Sequence, residues 1–389
     1  MTNNLSAGTR DPRVPSAGSS RPARPALADT DTQIPEYRVR AGSPAGILAV
    51  IPGLLGFEPG HSFVVLGTEP PRSRVQVTLR FDLPDPGDQR RAAAIAASAV
   101  GVLAAQRLTT ATAVGYGSDE AVAPVVSALR ERAGEAQVTL TELLRADQGR
   151  YWSYVCAEPS CCPADGTRYD ITDHPAARAM ELAGRQVLAS RDELRAALAA
   201  ADDASAEAMR GAVRQAQRLI AECVARSTGA DHRIARRRVT AAVGRMAVVE
   251  AIDRYRAGET VDTVLAAWLA VALRELRVRD DAWARMLPEH RGAHRRLWTD
   301  LTRLAGPGYV AAPATLLAFV AWQSGDGALA NVALDRALAD NRRYSMAWLL
   351  RRALDAGAPP GMARLPMTPE EVAASYDAAE AARDAAKAR

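Results

Sequence analysis

GRYWSYVCAEPSCCPADGTRYD, residues 149–170, is where this chain changes character. Before it, short β-rich runs alternate with helical ones. After it, almost everything is Ala/Leu/Arg helix. The stretch holds Cys156, Cys161 and Cys162 of the chain's 4 cysteines, with Tyr151, Trp152, Tyr154 and Tyr169, in a chain only 5% aromatic. Such a switch predicts an α/β domain with a mixed sheet over residues 37–172, followed by an all-α domain of helical hairpins over 173–360. Residues 1–36 mix Pro, Ser, Thr, Ala, Asp and Arg without periodicity and are expected to be disordered. Residues 361–389 read as an Ala-rich tail, at most a marginal helix.

Upstream of the switch, order begins at Ser43-Pro44, a cap residue followed by proline at the first helical position. The run AGILAVIPGLLGF reads as a buried helix that ends or kinks near Pro52-Gly53. Phe63–Gly67 is a short buried strand, and Glu69-Pro70-Pro71-Arg72-Ser73 is a turn. In the next strand Val75, Val77, Leu79 and Phe81 alternate with Gln76, Thr78, Arg80 and Asp82, a period of two with one apolar face. Helix (88–107), strand (111–117), helix (119–133) and strand (137–144) follow. Helix crossovers joined to an early hairpin imply a mixed sheet.

Downstream, helices are expected at 174–189, 190–201, 204–227, 231–257, 261–278, 280–287, 290–304, 312–324, 327–340 and 344–356. The pair around Gly325 resembles a tetratricopeptide-type hairpin, with Ala330, Leu334 and Ala337 on one face and Trp348 in the next helix. Trp322 and Trp348 would flank the close-packed middle helix, while Arg342 and Arg351 are expected to be exposed.

Three separated segments carry a wider resemblance. SPAGILAVIPGLLGFEPGHSFVVLG, YVCAEPSCCPADGTRYD and ATLLAFVAWQSGDGALANVALDRALAD together resemble the actinobacterial family called domain of unknown function 4192, over residues 38–360. The resemblance implies no activity. Relatives tend to have Asp in the opening helix and in the turn before the first strand, where this chain has Gly46 and His61. Any chemistry those carboxylates perform would be lost here.

Composition excludes several functions. Lys387 is the only lysine among 49 basic residues, so no internal lysine exists to reach a phosphate or form a Schiff base. That disfavours P-loop NTPases, protein kinases and pyridoxal-phosphate enzymes. Gly-x-Ser-x-Gly is missing, and with 5 histidines no hydrolase triad can be assembled. The apolar runs Ala45–Phe57 and Val264–Leu273 are too short to span a bilayer. A cytoplasmic location with reduced thiols is expected, and a net charge of +4 is too small for a polyelectrolyte binder.

Four stretches are candidates for chemistry. Cys156, Cys161 and Cys162 form a C-x4-C-C pattern that reads as a packed structural loop, a metal site completed by Asp173 or His174, or a reactive thiol group. Because adjacent cysteines seldom aim both sulfurs at one ion, no bound metal and no cofactor are expected. Gly117 and Ser118 lie between a strand and a helix start, where anions bind in open sheets, although the third glycine of a fingerprint is absent and Asp119 opposes phosphate. Arg80 and Asp82, on the polar face of the alternating strand, become a pocket candidate if helices cover that face. Arg233, Arg236, Arg237 and Arg238, with Arg245 beyond, could track a phosphate backbone, or form a solvated face paired with Asp231, Glu250 and Asp253. His290 and His294, four apart but ringed by arginines, are not expected to ligate metal.

Three functions follow. The leading one is a non-catalytic protein-interaction or adaptor role through the helical hairpins, with an unidentified protein partner. The alternatives are a small-molecule- or metal-linked enzyme built on the sheet edge and the cysteine loop, and nucleic-acid binding through Arg233–Arg245.

Overall fold

A computed structural model describes residues 41–70, 74–182, 186–226, 231–362 and 367–387. The segment 1–36, expected to be disordered, and the turn residues Pro71–Ser73 lie outside the described residues. The first half runs α1 (Pro44–Leu55), β1 (Ser62–Glu69), β2 (Arg74–Asp82), α2 (Gln89–Ala105), β3 (Thr110–Tyr116), α3 (Asp119–Glu135), β4 (Thr139–Asp147), β5 (Arg150–Ser153) and β6 (Thr167–Arg168). The second half is helical: α4 (Pro175–Leu182), α5 (Arg191–Ala197), α6 (Asp203–Ala225), α7 (His232–Arg256), α8 (Thr263–Ala272), α9 (Leu276–Ala284), α10 (Arg291–Leu304), α11 (Ala311–Gln323), α12 (Gly327–Asp340), α13 (Ser345–Asp355) and α14 (Pro369–Lys387).

The strands form one six-stranded mixed sheet in the order β2-β1-β3-β4-β5-β6. Only β3 and β4 pair in parallel, because α3 carries the chain back over the sheet between them. The other pairs are antiparallel. β1 supplies the reason the sheet has two dry faces: seven of its eight residues are buried, so both of its sides need cover. On one side Phe63, Val65, Ala113 and Leu143 pack beneath α2 and α3, against Ile95, Leu103, Val122 and Leu129. α3 comes close because Gly115 has no side chain; a Cβ there would sit 2.3 Å from Val122. On the other side Val64, Leu66, Val114 and Leu144 meet Ile47, Leu48 and Ile51 of α1. That core continues without a break into the helical half, through Leu198 and Met209 to Trp298 and Phe319.

Several features differ from the sequence expectation: the helix expected at 174–189 ends at Leu182, with Leu188 bridged to Phe57, and β4 runs to Asp147. α1 does not stop at Pro52; it runs one turn further to Gly56, whose left-handed backbone (φ 76°) lets its N–H reach the Pro52 carbonyl at 2.7 Å. Burial of the whole helix outweighs the one N–H that proline removes. The 261–278 segment is two helices, because Glu275 is extended (φ −82°, ψ 122°). The break lets α7 cross closely: a Cβ on Gly244 would lie 2.6 Å from Ala272 and 2.8 Å from Val278.

In the helical half every residue of α11 is buried. Ala330, Leu334 and Ala337 of α12 are fully buried against the core, and Gly325 (φ 71°) makes the turn between the two helices. α14 is not a loose tail. It docks through Val372, 3% exposed, and through the Tyr376 hydroxyl, which donates to Asp280 at 2.6 Å.

Candidate functional site

The β4–β5 hairpin sets up the site. Gln148 (φ 44°) and Gly149 (φ 72°) both adopt left-handed backbone, the requirement of a two-residue hairpin turn whose twist matches the strands. β5 therefore folds straight back on β4, and the chain leaves the sheet after Ser153 to return at β6. The cysteine loop is this excursion. Its neck is closed by side chains that the turn points inward. The Arg150 guanidinium donates to the Asp165 and Gly166 carbonyls at 2.9 and 2.7 Å and pairs with the Asp165 carboxylate. The Trp152 indole N–H donates to the Ala164 carbonyl at 3.1 Å. Gly166, at φ 79°, lies against the indole, where a Cβ would come within 2.5 Å.

Inside the loop, backbone N–H groups are satisfied locally. The Ser153 hydroxyl accepts from the N–H groups of Val155 and Cys156 at 3.2 and 3.1 Å. The Glu158 carbonyl accepts from Cys161 and Cys162 at 3.2 and 2.8 Å. That turn brings the sulfurs together. Cys156 Sγ is 3.1 Å from Cys161 Sγ, Cys161 Sγ is 3.6 Å from Cys162 Sγ, and all three lie within 4.8 Å of one another. The premise that the adjacent Cys161 and Cys162 turn apart does not hold: the tight Glu158 turn leaves their sulfurs 3.6 Å apart. Among the described residues this is the one group of metal-ligating side chains so gathered, and no Asp, Glu or His belongs to it. His174 is engaged elsewhere, its Nδ1 accepting from the Ala176 N–H at 3.1 Å.

Hydrogen bonding from the Cys161 thiol, aided by a Glu158 backbone bond and by Cys162, lowers Cys156 below the ordinary thiol range. The same contact raises Cys161. Cys162 is pushed up to about 12, first by its bond to Cys156 and then by desolvation.

On its other flank the loop is tied to the start of α3. The Arg145 guanidinium lies 3.5 Å over the Trp152 ring and 3.5 Å from the Asp119 carboxylate, which accepts from the Tyr154 hydroxyl at 2.7 Å. Burial first, and then the bond to Asp119, raises the Tyr154 phenol. Gly117 and Ser118 sit at this junction. The Gly117 N–H donates to the Ala146 carbonyl at 3.0 Å, and its missing side chain makes room for Leu83. Ser118 holds the N-cap position without a side-chain cap bond.

Arg80 and Asp82 lie on the opposite face of the sheet, since Arg80 is the cross-strand partner of Val64, which packs toward α1. They do pair, at 2.5 Å, and Arg80 Nε donates to the fully buried Ser62 hydroxyl at 2.9 Å. Asp82 is 4.0 Å from Arg191, which is 3.7 Å from Asp335, which in turn takes a 2.6 Å pair from Arg351. This chain of charges ties the sheet edge to α5, α12 and α13. Burial, then the neighbouring Arg195 and Arg80, lowers Arg191 below the usual guanidinium range. Arg351 is therefore engaged rather than exposed, while Arg342 is exposed.

The arginine segment is also placed differently from its expectation. Arg237 pairs with Glu275 at 3.2 Å and Arg238 with Glu380 of α14 at 3.5 Å. Glu250 and Asp253 instead pair with Arg254 and Arg256. His294 is a core residue, 1% exposed, with Nε2 at 3.0 Å from the Arg285 carbonyl. Sequence reasoning missed Arg145 and Arg150; their only signal was an arginine on each side of the Gln148-Gly149 turn.

An α/β sheet joined to a helical half, with a three-thiol loop at the junction, defines the class of protein. The chain belongs to the family described as domain of unknown function (DUF4192), whose model matches residues 44–361, from the first residue of α1 to the turn after α13. No curated protein and no solved structure matches the chain. No helix among the described residues is long and apolar enough to cross a membrane.

Proposed function

We propose that the loop is a thiolate metal centre and that this chain is a metal-binding protein of the zinc or soft-metal class. The observation that carries this reading is the triangle of sulfurs within 4.8 Å. A disulfide uses two sulfurs, whereas a metal collects three or four. Zinc–sulfur bonds of about 2.3 Å in a tetrahedron hold ligand sulfurs about 3.8 Å apart, so the observed spacings of 3.1 and 3.6 Å need only small side-chain rotations. Thiolates select zinc, copper(I) and iron–sulfur chemistry over hard cations. Three protein ligands leave a fourth position facing solvent, the arrangement of metal sites that exchange a ligand. The reducing cytoplasm inferred from the sequence suits such a site. The reading departs from the expectation of no metal, which rested on diverging adjacent sulfurs. Titration of reduced protein with zinc and cadmium, followed by thiolate charge-transfer absorption, tests it. Saturation at one ion per chain is expected, lost in Cys156→Ser, Cys161→Ser and Cys162→Ser and retained in Cys223→Ser. Equal metal uptake by the Cys161→Ser variant would overturn it.

A second reading, a protein-interaction role through the helical half, is favoured by a different observation. Trp348 and Leu349, adjacent on α13, are 49% and 65% exposed beside the α11–α12 pair. Large contiguous apolar patches commonly mark partner contacts, and these neighbouring side chains would form part of one. Trp348→Ala and Leu349→Ser are expected to leave melting nearly unchanged while abolishing recovery of one specific partner. Undiminished recovery counts against this reading.

A further inference from the structure

α14 lies outside the matched family segment, yet with α7 and the start of α9 it walls a solvent-open groove of about 390 Å³. That volume is in the range of small-ligand sites, about 300–1,000 Å³. Five arginines line it: Arg237, Arg238, Arg245, Arg277 and Arg383. Three carboxylates face them, those of Glu275, Asp377 and Glu380. Each carboxylate already has its own guanidinium: Glu275 with Arg237 at 3.2 Å, Asp377 with Arg277 at 2.7 Å and Glu380 with Arg238 at 3.5 Å. Arg245 and Arg383 remain, making no hydrogen bond or ion pair with a described residue. Arg277 adds a further donor, since its Nε is buried and has no hydrogen-bond partner among the described residues.

We infer that this groove binds a small molecule bearing a phosphate group. The Arg277 hydrogen bond, and then the nearby Arg245, hold the Asp377 carboxyl down, yet the lining still has two more guanidiniums than carboxylates, and a phosphate monoester carries about −1.5 to −2 charges at neutral pH, so one such group balances the groove. Guanidinium forks suit phosphate oxygens, with charge-assisted bonds to two oxygens at once. The Tyr376 ring, on the α14 wall and fixed by its bond to Asp280, supplies an apolar surface beside the cations.

Isothermal titration of the full chain with inorganic phosphate, adenosine 5′-monophosphate and adenosine, at matched chloride, tests the assignment. Phosphate and the monophosphate are expected to bind once per chain, and adenosine not at all. Tighter binding of the monophosphate than of phosphate would show that the rest of the ligand also makes contact, and equal binding that the anion alone is read. Either result supports the site. Arg245→Ala and Arg383→Ala should each weaken binding about tenfold to a hundredfold, the usual effect of losing a bond between charged partners. Arg342→Ala, away from the groove, should change nothing, and all three variants should melt like the parent. No saturable binding of either anion, or binding unaffected by both groove variants, overturns the inference. So does affinity confined to an oligonucleotide with steep salt dependence.

Discussion

The cysteine loop and the α11–α12 pair are held by opposite means. In the loop, Arg150, Trp152 and Ser153 bond to backbone groups, and the sulfurs are left at the surface. In the helical pair, Ala330, Leu334 and Ala337 pack against a helix with every residue buried. Stability is concentrated in the second region and reactivity in the first. A change in one should therefore leave the property of the other intact.

The largest expected effect is in the helices. Leu334→Ala removes a fully buried side chain and should cost about 2–5 kcal/mol, read as a lowered denaturation midpoint. Metal binding by the folded fraction should not change; a parallel loss of metal affinity would mean that the two regions are coupled. Ala337→Leu probes the same packing from the other side. Overpacking the α11–α12 contact should cost about 1–3 kcal/mol, and a neutral outcome would show that these helices are not in close contact.

A smaller and more local effect is expected at the loop neck. Gly166→Ala places a Cβ within 2.5 Å of Trp152 on a backbone at φ 79°. The strain should cost about 1–3 kcal/mol, and it should free the loop from the sheet. Limited proteolysis should then cut within residues 154–166 while the helical half stays intact. Protection equal to the parent would show that Trp152 does not clamp the loop. Smallest of all, Cys161→Ser in metal-free protein replaces one exposed side chain and should shift stability by no more than about 0.5 kcal/mol.

How much of this was legible in the sequence also divides along the same line. Period-two alternation at Val75–Phe81 and the cap followed by proline at Ser43-Pro44 are local signals, and the strand and the start of α1 lie where they were expected. The last strands were not legible, because β5 and β6 are short and get their pairing from the Gln148-Gly149 turn. The helical break at Glu275 depends on the close passage of Gly244, a contact between residues far apart in the chain. The meeting of three sulfurs depends on a turn at Glu158 that no spacing rule reports. Arg80 and Asp82 were seen as a pair, but the partners that complete their network, Arg191 and Asp335, lie more than a hundred residues further on or beyond.

The most direct measurement is the metal content of reduced protein purified from its own host, by elemental analysis and native mass spectrometry together. One zinc-class or soft-metal ion per chain is predicted, absent from Cys161→Ser and kept by Cys223→Ser. Metal well below one per chain in the parent, with three free thiols or a Cys156–Cys161 disulfide in its place, would contradict the account.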